Sequence, residues 1–292
     1  MRALSYSEFG GPEVLRVVDV AEPDPGPGQI RIAVHAAAVN PIDWKRRSGM
    51  MGGELPAIPG FDAAGVVEET GERVFGQAVG GAYAESAVLA HWATMPDGLS
   101  FEEAAGFVMA SETALRSLGL IGLSGPNTRQ MSGVGTRQET VVIVGASGGV
   151  GSAAVQFARA RRARVIGTAS AANHDYLREL GAEPIAHDAL ATLDTQVDAG
   201  LDTAGRGAVR DLIALTGDPA RVVTIADFGA GELGVHVSSQ ASAWHALDEA
   251  ATLFAAGRFT LPVAGVFTFD DAAEAHRISE AGHVRGKLIL RP

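Results

Sequence analysis

The chain has 292 residues, roughly twice a typical domain, so two domains or one large α/β unit are expected. A formal net charge of −11 argues against nucleic acid and anionic membrane as partners, and the absence of cysteine excludes disulfides, thiolate zinc sites and a cysteine nucleophile. At 47% hydrophobic there is ample material for a core, but no apolar run approaches the ~20 residues of a membrane helix and the N-terminus lacks an apolar signal core; a cytoplasmic protein is expected.

The first hundred residues read as β-rich. Short alternating or apolar runs at 15–20, 30–39, 65–68 and 83–89 are separated by turn chemistry such as Pro23-Asp24-Pro25-Gly26-Pro27-Gly28. An irregular, partly barrel-shaped β domain is expected there. From Ser100 the pattern changes. Ser100 followed by Glu103 has capping-box spacing and opens an Ala-rich helix, with a second helix at 111–120. Residues 122–138 are polar and Gly-rich and read as a long surface loop.

Residues 140–170 carry the clearest signal. A β-branched run, 141–144, leads into Gly145, Gly148 and Gly151, then an Ala-rich helix and a second apolar run at 164–167. Strand, Gly-rich turn, helix and strand make half of a dinucleotide-binding fold. A turn without side chains admits a pyrophosphate to the backbone, and the helix start offers unpaired N–H groups and a positive dipole end. Gly145, Ala146, Ser147, Gly148, Gly149, Val150 and Gly151 form this candidate cradle.

Further βα units follow: a helix at 174–180, strands at 183–186, 199–203 and 221–226, and a helix at 209–215. A helix at 241–256 stops at Gly257; a strand (261–269), a helix (270–282) and a terminal strand (287–290) close the chain. The cofactor domain thus sits inside a β domain assembled from both chain ends.

Taken together, the motifs resemble the medium-chain dehydrogenase/reductase superfamily, in its zinc-free NADPH-dependent quinone oxidoreductase branch. The similarity rests on EFGGPEVL (8–15), AAVNPIDWKRRSG (37–49), PGFDAAGVV (59–67), GAYAESAVL (81–89), ASETAL (110–115), GASGGVGSAAVQFA (145–158), GTASAANHDYLRELGAE (167–183), LDTAG (201–205) and GHVRGKLIL (282–290). The resemblance implies an α/β protein with a GroES-like catalytic domain (1–112, completed by 258–292) and a Rossmann NADPH-binding domain (113–257). It also implies substrate in the cleft between them and a homodimer. Zinc-containing relatives have Gly-His-Glu where this chain has Gly60-Phe61-Asp62, so metal-assisted chemistry is not expected. Residues 69–73 are shorter, and 122–138 longer, than the family pattern.

NAD-specific proteins place an acid at the end of the second strand to accept from the ribose 2′-OH. This chain has Thr168-Ala169-Ser170 there, and small hydroxyls can donate to a 2′-phosphate. The resemblance points to Thr168, Ser170 and Asn173 as contacts, with Arg161, Arg162 or His174 as positive partners; Ala172 stands where many relatives are basic. It also assigns Asn40 and Thr113 to the nicotinamide, Asp202 and Thr203 to the cofactor, Ile225 and Ala226 to the nicotinamide wall, and Phe267 to the opposite wall.

Hydride transfer requires position, a dry site and a donor for the oxygen that gains charge. Asn40 is the expected donor, against a plain turn-forming Asn before Pro41. Asp43 reads as a brace, and Tyr83 as a candidate proton donor. Trp44, Met50, Met51 and Phe61 are expected to line an apolar pocket, while Lys287 and His283 read as braces of the domain junction. The expected activity is zinc-independent, NADPH-dependent hydride transfer to a small quinone or α,β-unsaturated carbonyl. The alternatives are an enoyl reductase tailoring a polyketide-type intermediate, and a non-catalytic NADPH-binding sensor or structural protein.

Overall fold

The computed structural model describes residues 1–123, 138–282 and 284–292. Most of the expected loop at 122–138, and His283, lie outside the described residues. The chain divides into two compact units, Met1–Met109 with Trp244–Pro292, and Ala110–Ala243.

In the first unit, β1 (Arg2–Ser5) and β2 (Arg16–Asp19) form an antiparallel ribbon. The long strand β3 (Ile30–Val39) leads into the short helix α1 (Pro41–Arg47). Next come β4 (Asp62–Val67), β5 (Arg73–Val79) and β6 (Ser86–Thr94), each antiparallel to the one before in the sheet. The start of β3 pairs back onto β6, Ile30 opposite Leu89, which closes β3 to β6 into a small barrel. Ala36, Ala37 and Ala38 are fully buried, and this Ala-rich end of β3 takes a new neighbour. That neighbour is the last strand of the chain.

The second unit begins within α2 (Phe101–Leu120). Ser100 and Glu103 exchange the hydrogen bonds of a capping box at its start. The two helices expected at 101 and 111 are one. Ser111, Glu112, Thr113 and Ser117 are buried along it, and Glu112 pairs with Arg116 one turn on. Glu112 also accepts the backbone N–H groups of Ser242 and Ala243.

Then β7 (Thr140–Val144), α3 (Gly149–Ala160), β8 (Arg164–Thr168), α4 (His174–Glu179), β9 (Glu183–Ile185), β10 (Ala199–Asp202), α5 (Val209–Thr216), β11 (Val222–Thr224) and β12 (His236–Val237) alternate. All pairings are parallel, in the spatial order β9-β8-β7-β10-β11-β12. That is the doubly wound dinucleotide fold, whose strand order reverses between β7 and β10. Val142, Val144, Ile166, Leu212 and Val222 build its core.

The chain returns to the first unit with α6 (Ala246–Ala255), β13 (Val263–Thr268), α7 (Ala272–Ala281) and β14 (Lys287–Arg291). β14 inserts between β13, parallel, and the end of β3, antiparallel. The expected boundary at 257 is displaced: α6 belongs to the first unit, since Trp244 stacks on His91 and Phe254 meets Phe107 edge-on. The expected strand at 83–89 begins only at Ser86.

Candidate active site

The glycine cradle is built as the motif requires. Gly145 has φ of +76°, and a Cβ there would lie 2.7 Å from Thr203 Oγ1. At Gly151 a Cβ would stand 2.2 Å from the Gly145 carbonyl oxygen, so this glycine lets α3 approach β7. Gly148 precedes the first turn of α3, which no side chain caps. The first-turn N–H groups have no intrahelical acceptor, so they suit a phosphate. Ser147, Gly148, Gly149 and Val150 are half-buried and reachable, while Ala146 sits inside, its N–H on the Thr168 carbonyl. These residues fit a dinucleotide pyrophosphate.

Several residues expected to touch the cofactor instead hold this cradle in place. Thr168 is buried, its hydroxyl accepting from the Gly145 N–H and lying 3.2 Å from His187 Nδ1. Thr203 donates to the Val144 carbonyl. Asp202, fully buried, accepts the N–H groups of Ala204 and Gly205 and the Thr224 hydroxyl. Thr168 and Asp202 therefore shape the rim from behind. Thr113 is buried, its hydroxyl directed at Glu112. Ile225 and Ala226 are half-buried just past β11. Phe267 is half-buried in β13, packed on the first unit's core.

Past β8, Ser170 is exposed and its Oγ accepts from Asn173 Nδ2 at 3.2 Å. His174 lies against the Ala169 carbonyl. Arg161 and Arg162 do not join them. They precede β8, at the other end of a five-residue strand, roughly 17 Å away. On the Ser170 side stands Arg206, close enough to His187 to lower its pKa after burial does so, with Asp188 and His174 also facing that imidazole.

The first unit contains a buried polar cluster. Asn40 occupies the N-cap of α1, in a capping box with Asp43. Its Nδ2 donates to Asp62 Oδ2 at 2.9 Å, and its Oδ1 accepts from Lys287 Nζ. Lys287 Nζ stands 3.8 Å from Asp62. Asp62 also accepts the Met109 N–H. Asp43 accepts from the backbone of Asn40 and Gly60 and from the Tyr83 hydroxyl at 3.0 Å. Burial, and after it the Asp62 charge, push the Asp43 pKa up to about 7. Burial pulls the Lys287 pKa down, against the attraction of Asp62 and Asp43.

Tyr83 has no exposed surface, and burial and Asp43 hold its pKa well above the phenol's usual value. As a proton donor to substrate it is corrected to a brace: its hydroxyl already serves Asp43. Of the expected pocket residues, Trp44 and Phe61 are half-buried, the latter under the Arg46 guanidinium, and Met50 and Met51 are 70% and 52% exposed. They do not converge with Asn40 in any recorded contact. The cluster of Asp43, Asp62 and Lys287 was beyond sequence reasoning, although the buried-strand context of Asp62 was a usable signal.

A closed barrel and a glycine cradle on a doubly wound sheet, in one chain, make a two-unit protein whose second unit has the fold that binds dinucleotides. Comparison with known proteins narrows that class. The alcohol dehydrogenase GroES-like domain matches residues 26–147, and the zinc-binding dehydrogenase domain matches residues 180–290. A quinone oxidoreductase from Lama guanicoe is 41% identical over 184 residues, 58% of this chain and 52% of that one, so the match spans about half the relative's length. A 2-methylene-furan-3-one reductase from Solanum lycopersicum is 29% identical, covering 100% of this chain and 79% of the relative. A mycobacterial protein solved in complex with NADPH superposes with a TM-score of 0.80 at 27% identity, covering 100% of both chains. The two domain matches, one in each half of the chain, place it in the medium-chain dehydrogenase/reductase superfamily, and quinone oxidoreductases are among the proteins it is similar to.

The residues present do not fit a zinc ion. There is no cysteine, Phe61 has no donor atom, and Asp62 is already bound to Asn40 and Met109 with an ammonium 3.8 Å away. Among the described residues no three His, Cys, Asp or Glu converge on a metal-sized site.

Proposed function

We propose that the protein is a zinc-independent, NADPH-dependent reductase of quinones or α,β-unsaturated carbonyls. One observation carries the cofactor part: an open glycine cradle whose following strand ends in the exposed hydroxyl of Ser170 and not in a carboxylate. Asn173 already donates to Ser170, which leaves the serine O–H to donate to a 2′-phosphate. The Arg206 guanidinium supplies positive charge on that side. Bound in the cradle, a reduced nicotinamide supplies a hydride. The chain's own task is to hold the acceptor and stabilise the oxygen that becomes negative, and Asn40, with a side-chain N–H beyond the one given to Asp62, is the donor we assign. The second reading, reduction of an enone, uses the same chemistry and is supported by the likeness to a furanone reductase.

The test is NADPH and NADH oxidation against a panel of naphthoquinones and enones. Turnover with NADPH preferred is expected, and Ser170→Asp should shift the preference toward NADH. Tight NADPH binding without turnover on any acceptor would instead favour a sensor or structural protein. An unchanged NADPH/NADH ratio in Ser170→Asp would remove the assignment of the 2′-phosphate site.

A further inference from the structure

Asn40 stands at a position where asparagine ordinarily caps the helix that follows, a bond worth ~1 kcal/mol. Here Asp43 completes a capping box by accepting the Asn40 N–H, and the Asn40 carboxamide is held in addition by two charged partners. Its oxygen accepts a hydrogen bond from Lys287, and its nitrogen donates one to Asp62. All three residues are more than nine-tenths buried. Lys287 comes from β14, 247 positions along the chain, and its stem lies against Gly106 of α2, where a Cβ would sit 3.2 Å from Cγ.

The charges allow only one orientation of the carboxamide. Flipped, its NH2 would face an ammonium and its oxygen a carboxylate, two repulsive contacts in a low-dielectric interior. The cation on Oδ1 also draws electron density from the amide and strengthens its remaining N–H as a donor. We infer that Lys287 is a positioning residue for Asn40: with Asp62 it fixes the carboxamide so that the second Nδ2–H is presented, polarised, to the substrate oxygen. This rests on the reading above, in which Asn40 is the donor to that oxygen. The polarity of the clamp has a direct consequence. Asn40 can offer only a hydrogen there and is matched to an acceptor that gains negative charge, such as a carbonyl, not to a substrate group that must itself donate.

Three variants test this. Asn40→Ala removes the donor. Lys287→Met removes the cation but keeps an unbranched stem on Gly106. The double variant Asp62→Asn with Lys287→Met removes both charges of that pair, so neither is left buried without its partner. The structural readout, made without cofactor or substrate, is the Asn40 side-chain amide in ¹H–¹⁵N spectra. The wild-type pair of resonances should be well separated and slow to exchange, and in the double variant they should converge and exchange faster. In turnover, Asn40→Ala and the folded double variant should each lose roughly 10²-fold in kcat, the scale of a misplaced or missing donor, with NADPH affinity unchanged. If the double variant keeps wild-type kcat while Asn40→Ala loses it, the positioning role is wrong and the functional reading stands. If Asn40→Ala itself keeps full kcat, the functional reading of the site fails, and the inference with it. Unshifted amide resonances in the double variant would also overturn the clamp.

Discussion

His276 shows how much of this protein's behaviour is set by single buried side chains. It lies fully buried in α7, edge-on to the Tyr83 ring at 5.9 Å, with neither ring nitrogen bonded to a partner. Burial, and then the neighbouring Arg47 guanidinium, lower its pKa to about 3. Arg47 is itself buried and paired with Glu280. An unfolded His276 takes up a proton near pH 6.5 and the folded one does not. Stability must therefore fall as pH drops from about 6.5 toward about 3, by about 1.4 kcal/mol per pH unit from this group. In His276→Phe the edge-on packing is kept and the titration removed, so the loss of Tm between pH 7 and pH 5 should shrink. Parallel loss of Tm in variant and wild type would show that other groups govern acid unfolding. Little of this cluster was legible beforehand. Asp43 with its capping spacing can be read locally, but Tyr83, Lys287 and His276 join it from 40 to 247 residues away along the chain, and sequence spacing carries no such information.

At the scale of elements, local chemistry and legibility coincide. The turn from β7 to α3 was readable because its glycines are demanded by close backbone approaches within seven residues of chain. Gly151 is the sharpest case: an added Cβ meets the Gly145 carbonyl at 2.2 Å and Ala146 Cα at 2.8 Å, both backbone atoms that cannot turn aside. Gly151→Ala should push α3 away from β7 and misplace the first-turn N–H groups. We expect NADPH affinity to drop by an order of magnitude or more, measured by calorimetry, with a Tm loss of a few degrees. Wild-type affinity in a folded Gly151→Ala would show that the cradle is not the phosphate site. Where a reading needed strand direction, it failed. Arg161 and Arg162 stand nine and eight positions before Ser170, but the intervening β8 carries the chain from one edge of the sheet to the other. The continuity of α2 was missed as well: Glu112, inside the second expected helix, is buried by partners as distant as Ser242 and Ala243.

For the whole molecule, the order in which the chain visits its two units matters most. The second unit is one continuous stretch, Ala110–Ala243, with a parallel sheet completed by neighbours in sequence. The first unit needs both chain ends, because β14 lies between β3 and β13. Leu288, Ile289 and Leu290 of that strand are at most 5% exposed. Burying each contributes about 1.5–3 kcal/mol, so together they approach the roughly 5–15 kcal/mol that holds a whole domain folded. Removal of residues 287–292 also leaves Asp62 buried without its ammonium and exposes the paired edges of β3 and β13. The first unit should then unfold. All three tryptophans, Trp44, Trp92 and Trp244, lie in it, so their fluorescence reports on that unit alone. The truncated chain should show red-shifted, solvent-exposed tryptophan emission, while limited proteolysis still yields a resistant fragment spanning the parallel sheet, close to residues 138–243. Native emission from the truncated chain would mean that the barrel of β3 to β6 folds without its C-terminal strand. Loss of the resistant fragment as well would mean that the parallel sheet depends on the first unit, despite its continuous sequence.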